Sequence, residues 1–242
     1  GDMSDGNGIP VRMLDIPPDI FDRAYNRVAN STLWFLLHQL FDTPNQPRFG
    51  REFRRDWDSY LAYNEAFADA LAQEAVTGGA SPRILIQDYH LCLAPRLLRD
   101  RLGGQPAHPS GEAGIGHFSH TPWAPPDYYR MLPDDVGRAL LDGILGADRA
   151  GFHAERWATA FLDCCAAVLG ADVTRTGLAG PGPGPVGRVT YRGHVTEVAV
   201  HPLGVDAAAL RERARAGDVR AHVGALRRAA GNRKLIVRVD RT

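Results

Sequence analysis

Polar side chains that could do chemistry follow short apolar runs of this 242-residue chain. Asp88 comes shortly after three successive Ile and Leu residues, His120 directly follows Ile115–Ser119, and Arg241 lies two residues beyond Leu235–Val239. A carboxylate, an imidazole and a guanidinium together suit a polar hydroxylated substrate and a phosphate leaving group. These three residues are therefore the first candidates for a functional site.

The apolar runs are short and β-type, and helical stretches separate most of them. This alternation is typical of a parallel α/β sheet, in which ligands bind in the crevice outside the carboxyl ends of the strands. A further run of this kind, Val195–Val200, ends at His201. The sequence therefore predicts an α/β fold with a parallel sheet whose strand ends bring Asp88, His120 and Arg241 to one cleft.

The periodicity of apolar residues predicts where the individual elements lie. Helices are predicted at residues 25–41, 51–76, 94–102, 134–146, 154–169 and 206–230. Strands are predicted at residues 84–87, 114–119, 149–153, 172–175, 188–200 and 232–239. Gly and Pro alternate over residues 177–187, which favours a mobile hairpin tip between the strands near 172–175 and 188–200 rather than a helix or a central strand.

The composition excludes several classes of protein. Lys and Arg together number 28, as do Asp and Glu, so the chain lacks the basic excess that nucleic-acid binding requires. No apolar run approaches the roughly 20 residues of a membrane-spanning helix. The three cysteines show no Cys-x-x-Cys spacing, which favours a reduced, cytoplasmic compartment.

Each candidate also has an ordinary structural interpretation. Asp88 could cap the helix that follows it, His120 could be a core histidine, and Arg241 could be an exposed charge. Tyr25 and Trp34 lie nine residues apart in the first predicted helix, and aromatic residues in such a helix are often core residues.

A metal site is not expected. A strand followed by a turn could bring His117 near His120, with His90 as a third ligand, but their spacing matches no standard zinc pattern. We therefore predict neither a metal nor a cofactor.

Five motifs together resemble the trehalose-6-phosphate synthase family of retaining glycosyltransferases. They follow the family's order and spacing over nearly the whole chain, at residues 25–34, 87–91, 116–123, 141–153 and 239–242. The resemblance implies the N-terminal half of a two-domain GT-B fold. In that fold, residues 1–230 would form a Rossmann-like acceptor-binding domain, and residues 231–242 would form the first strand of the nucleotide-binding domain.

The same resemblance implies that parts of the family's site lie outside these residues. A first strand and a glycine-rich loop with an arginine for the acceptor phosphate would precede residue 1. A phosphate-binding lysine would follow Thr242. We therefore expect this chain to be a fragment of a longer enzyme.

The resemblance also implies a role for each candidate residue. Asp88 would hydrogen-bond the acceptor near its reacting group, and His120 would donate a hydrogen bond to the donor ring. Arg241 would bind the nucleotide diphosphate through a bidentate guanidinium contact. Three aromatic residues would contact the acceptor: Tyr25, Trp34 and Tyr89.

The motifs depart from the family where they flank the proposed catalytic pair. Gln87 stands where the family usually has His, and residues 117–124 read His-Phe-Ser-His-Thr-Pro-Trp-Ala where it usually has Phe-Phe-Leu-His-Ile-Pro-Phe-Pro. The core Asp and His are kept while their neighbours change polarity, which is expected if the ring being handled is not glucose. The chain looks most similar to the family's pseudoglycosyltransferases, which join an unsaturated cyclitol from a GDP carrier to an aminocyclitol phosphate.

The partners implied are thus a GDP-cyclitol donor and an aminocyclitol phosphate acceptor, and a homodimer is compatible with this interpretation. Two other functions stay open. One is a trehalose-6-phosphate synthase that uses nucleotide glucose and glucose 6-phosphate. The other is a catalytically silent sugar-phosphate-binding member, which would have lost the phosphate-binding Arg and Lys; the presence of Arg241 counts against it.

Overall fold

A computed structural model describes residues 3–4, 8–77, 82–103, 114–176 and 182–238. The chain divides into two compact units, Gly1–Pro202 and Leu203–Thr242. The described strands all belong to the first unit. They are β1 (Met3–Ser4), β2 (Pro10–Val11), β3 (Ile84–Gln87), β4 (Ile115–Ser119), β5 (Arg149–Phe152), β6 (Asp172–Arg175), β7 (Gly184–Tyr191) and β8 (His194–Val200).

Among the helices described in the first unit, those over residues 51–77, 94–101, 134–144 and 155–169 lie close to the predicted positions, whereas those over residues 18–21 and 126–129 were not predicted. The described helices of this unit are α1 (Pro18–Phe21), a π-helix (Asp22–Leu33), α2 (Trp34–Leu37), α3 (Arg51–Thr77), a 3₁₀ turn (Tyr89–Leu91), α4 (Ala94–Arg101), α5 (Pro126–Tyr129), α6 (Asp134–Ile144), α7 (Glu155–Cys164) and a short π-helix (Cys165–Leu169). The prediction of one helix over residues 25–41 is wrong in kind for most of its length, because a π-helix occupies it.

The main sheet has six strands in the order β3-β4-β5-β8-β7-β6. Strands β3, β4, β5 and β8 are mutually parallel, which confirms the α/β fold and the Rossmann-like parallel arrangement. Strands β6 and β7 extend this sheet in antiparallel fashion beyond β8. The sheet is therefore mixed, with the parallel part carrying the predicted strand ends.

The prediction of a single strand over residues 188–200 is wrong, because the chain reverses there. Arg192 and Gly193 both have positive φ, at 51° and 74°, and together form a two-residue hairpin between β7 and β8. Such turns match the right-handed twist of the paired strands. Strand β7 also begins at Gly184, inside the Gly- and Pro-rich stretch, and its pairing is irregular between Pro185 and Gly187. Residues 177–181 of the predicted hairpin tip lie outside the described part.

One face of the parallel sheet forms the core. Alternate strand residues such as Ile86, Ile115 and Phe152 are buried, because side chains along a strand point to opposite faces. The intervening Leu85 is 87% exposed. The predicted amphipathic helix over residues 51–76 is confirmed as α3. Helices α3, α4, α6 and α7, together with the π-helix Asp22–Leu33, supply most of the remaining core.

The second unit contains α8 (Ala207–Ala214) and α9 (Gly217–Ala230), and neither helix has a buried residue. The predicted strand at 232–239 is not formed over its described residues, 232–238. A strand needs a neighbour to pair its backbone groups, and here Ile236 is 91% exposed. The proposed division at residues 230 and 231 stays a prediction about domains. In the part of the chain that the structure describes, no helix combines the length and hydropathy needed to cross a membrane.

Candidate functional site at the carboxyl ends of the parallel strands

Four polar residues each stand directly after the last residue of a parallel strand. Asp88 follows β3, His120 follows β4, His153 follows β5 and His201 follows β8. The register pairs Gln87 with Phe118 and so brings the strand ends level, as do the pairs Ser119–Phe152 and Phe152–Val200. The sheet therefore brings these four residues, from distant parts of the sequence, to one edge.

Hydrogen bonds join the four residues into one continuous network. The Oδ1 atom of Asp88 accepts from the backbone N–H of His120 at 3.2 Å and from the Thr121 hydroxyl at 3.4 Å. Nδ1 of His120 lies 3.1 Å from Nε2 of His153. Nδ1 of His153 in turn lies 3.2 Å from the carbonyl oxygen of His201. The candidate site is this strand-end cluster, defined as Asp88, His120, His153 and His201.

Asp88 has a strained backbone. Its φ of 71° and ψ of 176° fall in a region that is essentially restricted to glycine, at a cost of about 1–3 kcal/mol. Neighbouring groups hold it there: its N–H donates to the Phe118 carbonyl at 2.8 Å, and its own carbonyl accepts from Leu91 N–H at 3.1 Å. Strain of this kind clusters at functional sites, which favours a functional Asp88.

The capping interpretation of Asp88 is wrong. The 3₁₀ turn that follows receives no hydrogen bond from its side chain, and α4 begins only after Leu93. The carboxylate instead holds the loop after β4, through His120 and Thr121. Asp88 is half-buried, so its second oxygen can face a ligand.

His117 supports Asp88 from inside the core. Its ring is buried, and its Nε2–H donates to the carbonyl oxygen of Asp88 at 3.3 Å. Burial lowers the pKa of His117 to about 4, so the ring is neutral at physiological pH. His117 is thus buried, whereas His120 is exposed. Within the described ranges, no three His, Cys, Asp or Glu residues form a group that could hold a metal ion.

A second group of polar and aromatic side chains adjoins Asp88. The Tyr89 hydroxyl donates to Oδ1 of Asn30 at 2.9 Å, and Nε2 of His90 lies 3.2 Å from the same oxygen. The ring of Tyr25 stacks on His90 with centroids 4.5 Å apart. Burial, and then the charge of Asp88, raises the pKa of Tyr89 to about 12, so its hydroxyl stays protonated and can donate.

The π-helix explains how Tyr25 reaches this group. Trp34 N–H donates to the Ala29 carbonyl, five residues back, as a π-helix requires. At roughly 4.4 residues per π-turn, residues 25, 30 and 34 share one face, whereas an α-helix would place residues 25 and 34 on opposite faces. Trp34 itself packs on His38, with centroids 4.3 Å apart. The structure therefore places Tyr89 directly after Asp88 and stacks Tyr25 on His90, two residues beyond Asp88. Trp34 lies on the same helix face as Tyr25.

The remaining candidates differ in outcome. Arg241 lies outside the described residues. Asn30 and His153 were not among the candidates chosen from the sequence. His153 is the last residue of the predicted strand 149–153, and the structure ends that strand one residue earlier, so that His153 follows it as Asp88 and His120 follow theirs. Asn30 gave no signal, since its hydrogen bonds to Tyr89 and His90 depend on a π-helix that apolar periodicity does not predict.

A shallow depression of about 340 Å³ lies nearby, on the exposed face of the sheet. It is lined mainly by apolar or small residues such as Leu85, Gly116 and Phe118, with His201 at its end. Asp88 and His120 do not line it. The polar chemistry therefore lies at the strand ends rather than in this depression.

Comparison with known proteins places this geometry in a family. The family model for glycosyltransferase family 20 matches residues 6–242. The chain belongs to glycosyltransferase family 20. It is 32% identical over 235 residues to an alpha,alpha-trehalose-phosphate synthase [UDP-forming] of Schizosaccharomyces pombe, covering 97% of this chain and 40% of the relative. It is 31% identical over 204 residues to a validamine 7-phosphate valienyltransferase of Streptomyces hygroscopicus subsp. jinggangensis, covering 84% of this chain and 37% of the relative.

Comparison with solved structures of similar proteins confirms the fold. An alpha,alpha-trehalose-phosphate synthase (UDP-forming) from Burkholderia vietnamiensis aligns with a TM-score of 0.66 and 26% identity, covering 97% of this chain and 46% of that one. A trehalose-6-phosphate phosphatase N-terminal domain from Candida albicans aligns with a TM-score of 0.70 and 26% identity, covering 95% of this chain and 43% of that one. The chain thus has the fold of the N-terminal half of GT-B proteins, and it spans about 40% of the length of the curated family 20 relative from Schizosaccharomyces pombe.

Proposed function

We propose that the protein to which this chain belongs is a retaining transferase that couples GDP-valienol to validamine 7-phosphate, forming validoxylamine A 7′-phosphate and GDP. The observation that carries the proposal is the strand-end cluster, in which a strained Asp88 holds His120 by a hydrogen bond within a family 20 fold. The similarity to a validamine 7-phosphate valienyltransferase supports the cyclitol substrates. The altered residues around His120 support a ring other than glucose.

In this mechanism the protein aligns the two reactants and stabilises charge. The acceptor amine attacks the donor ring carbon from the same face as the departing phosphate, so configuration is retained. A new C–N bond forms, the C–O bond to GDP breaks, and the amine proton passes to the leaving phosphate oxygen. Asp88 orients the amine through a charged hydrogen bond, His120 contacts the donor ring, and Tyr25 and Tyr89 form the acceptor side. Arg241 would bind the diphosphate.

A second candidate function is that of a trehalose-6-phosphate synthase. It is favoured by the number of relatives with that name at 32–35% identity. The third is a catalytically silent sugar-phosphate-binding member. It is favoured by the Candida albicans structure, which carries the same fold in a protein named a phosphatase.

A donor and acceptor panel on the protein that contains this chain separates the three functions. Product formation is measured for GDP-valienol with validamine 7-phosphate and for UDP-glucose with glucose 6-phosphate. We expect turnover of the cyclitol pair, with GDP released only when the acceptor is present. Turnover of the glucose pair alone would establish the synthase instead, and sugar-phosphate binding without turnover of either pair would establish the silent member.

A further inference from the structure

We infer that His153 is a positioning residue that holds His120 as its Nδ1–H tautomer, so that Nε2 of His120 offers a lone pair to a substrate hydroxyl. The chemical use of that lone pair rests on the proposed function. The tautomer itself follows from the hydrogen bonds of the strand-end cluster, independently of any substrate.

The His201 carbonyl sets the direction of the hydrogen-bond relay, which runs from His120 through His153 to His201. A carbonyl oxygen can only accept a hydrogen bond, so Nδ1 of His153, 3.2 Å away, carries the proton. The N–H of His201 donates to the Phe152 carbonyl at 2.7 Å, which holds this residue against the end of β5. The backbone carbonyl directly after strand β8 thus decides which nitrogen of His153 is protonated.

The next link follows from the valence of imidazole. A neutral ring has one N–H, so Nε2 of His153 has a lone pair and accepts from Nδ1 of His120 at 3.1 Å. His120 then has its proton on Nδ1 and a lone pair on Nε2. Within the described part of the chain, no hydrogen-bond partner occupies His120 Nε2, and the residue is exposed. The tautomer of a histidine is set in this way by the bond that its other nitrogen makes.

Packing keeps both rings in this arrangement. Phe118 meets His153 edge to face, with centroids 4.8 Å apart. The rings of His120 and His153 are also nearly perpendicular, at 79°. The backbone of His120 is fixed separately by Asp88. Rotation of His153 is therefore opposed by Phe118 on its face and by hydrogen bonds at both nitrogens.

The family resemblance implies that His120 donates a hydrogen bond to the donor ring, whereas the Nδ1–H tautomer makes Nε2 of His120 a hydrogen-bond acceptor. A donor N–H would suit any oxygen acceptor on the ligand, including an ether. A lone pair at Nε2 requires a ligand group that donates, such as a ring hydroxyl. His153 thereby selects for a free hydroxyl at this position of the donor ring.

The tautomer is read directly from two-bond ¹H–¹⁵N correlation spectra of ¹⁵N-histidine-labelled protein at mildly alkaline pH, without substrate. We expect His120, assigned by its loss in His120→Ala, to show the Nδ1–H pattern. In His153→Phe the relay is removed, and His120 should shift toward the Nε2–H form. In His153→Gln the amide oxygen can still accept from His120 while the amide N–H₂ donates to the His201 carbonyl, so the Nδ1–H form should be retained.

His201→Ala is the matched control, because it removes the ring and leaves the backbone carbonyl; the tautomer of His120 should not change. An Nε2–H signal for His120 in the unmodified protein would overturn the inference, whether or not any variant folds. An unchanged Nδ1–H signal in a folded His153→Phe variant would overturn the role of His153. A failed cyclitol assay leaves these spectra unaffected, so the two proposals fail separately.

Activity gives a second readout in the protein that contains the chain. Loss of a neutral hydrogen bond predicts a rise in KM for the donor of about 3- to 10-fold in His153→Phe. His153→Gln should stay within about 2-fold of the unmodified protein. Equal defects in the two variants would show that the position matters for packing and not for the tautomer.

Discussion

At the scale of single residues, the strand ends explain what the sequence could and could not predict. Asp88 and His120 were identified because an apolar run followed by a polar residue is visible in any single sequence. The hydrogen bonds between them, and the positive φ of Asp88, depend on the register of β3 and β4 and are not visible in either segment alone. The direction of the hydrogen bond between the His120 and His153 rings could not be predicted either, because it is set by the backbone carbonyl of His201.

The buried ring of His117 leads to a prediction about how the stability of the protein depends on pH. Its pKa is about 4 in the fold and about 6.5 when unfolded, so the unfolded chain binds more protons between these values. The contribution to stability is therefore fully present above about pH 6.5 and declines as the pH falls toward 4. From pH 7 to pH 5 we expect the free energy of unfolding to fall by about 2 kcal/mol more in the unmodified protein than in His117→Gln.

Urea unfolding at the two pH values measures this difference. The His117→Gln variant keeps the other groups whose pKa values burial lowers, such as His90 and His201. The difference between the two proteins therefore reports His117 alone. Parallel losses of stability in the two proteins would contradict the buried, neutral state of His117.

At the scale of elements, apolar periodicity predicted α3, α4 and β3 nearly to the residue, because each has one clearly buried face. It failed where the local geometry is unusual. The π-helix has a wider turn than the helical template assumes, and the β7–β8 hairpin turns in only two residues, Arg192 and Gly193. Close packing between helices could not be predicted either, since it depends on which glycine of one helix lies against the backbone of another segment.

The contact of α6 with the start of α4 gives a prediction at this scale. A Cβ atom on Gly143 would lie 2.3 Å from the Cys92 carbonyl oxygen and 2.7 Å from the Leu93 Cα, and backbone cannot move aside cheaply. Gly143→Ala should therefore destabilise the fold by about 1–3 kcal/mol, despite the better helix propensity of alanine.

Gly137→Ala in the same helix is the control. Its Cβ would meet only the side chains of Tyr129, at 3.3 Å, and Leu132, at 3.8 Å. Its free energy of unfolding should stay within about 1 kcal/mol of the unmodified protein. Chemical denaturation that gives the same result for both variants would contradict the close approach of α4 and α6.

At the scale of the whole molecule, the family and the fold were predicted from motifs in the right order, and both are confirmed. The antiparallel pairing of β6 with β7 confirms the hairpin predicted between residues 172–175 and 188–200. The second reversal, from β7 into β8, was not predicted, because residues 188–200 read as one strand. The domain boundary near residue 230, the homodimer and the role of Arg241 stay predictions. The described residues of the first unit do not bear on any of these three.

The most direct test of the account is kcat/KM for Asp88→Asn in the protein that contains this chain, measured with GDP-valienol and validamine 7-phosphate beside its melting temperature. Asparagine has the same shape as the aspartate already held in this backbone conformation, and its amide oxygen can still accept from His120 N–H, so the fold should be kept. Loss of the charged hydrogen bond to the acceptor amine is worth about 1.5–3 kcal/mol, so kcat/KM should fall roughly 10- to 150-fold at a nearly unchanged melting temperature. Normal turnover with a melting temperature lowered by several degrees would show that Asp88 is structural and that the strand-end cluster is not the catalytic site.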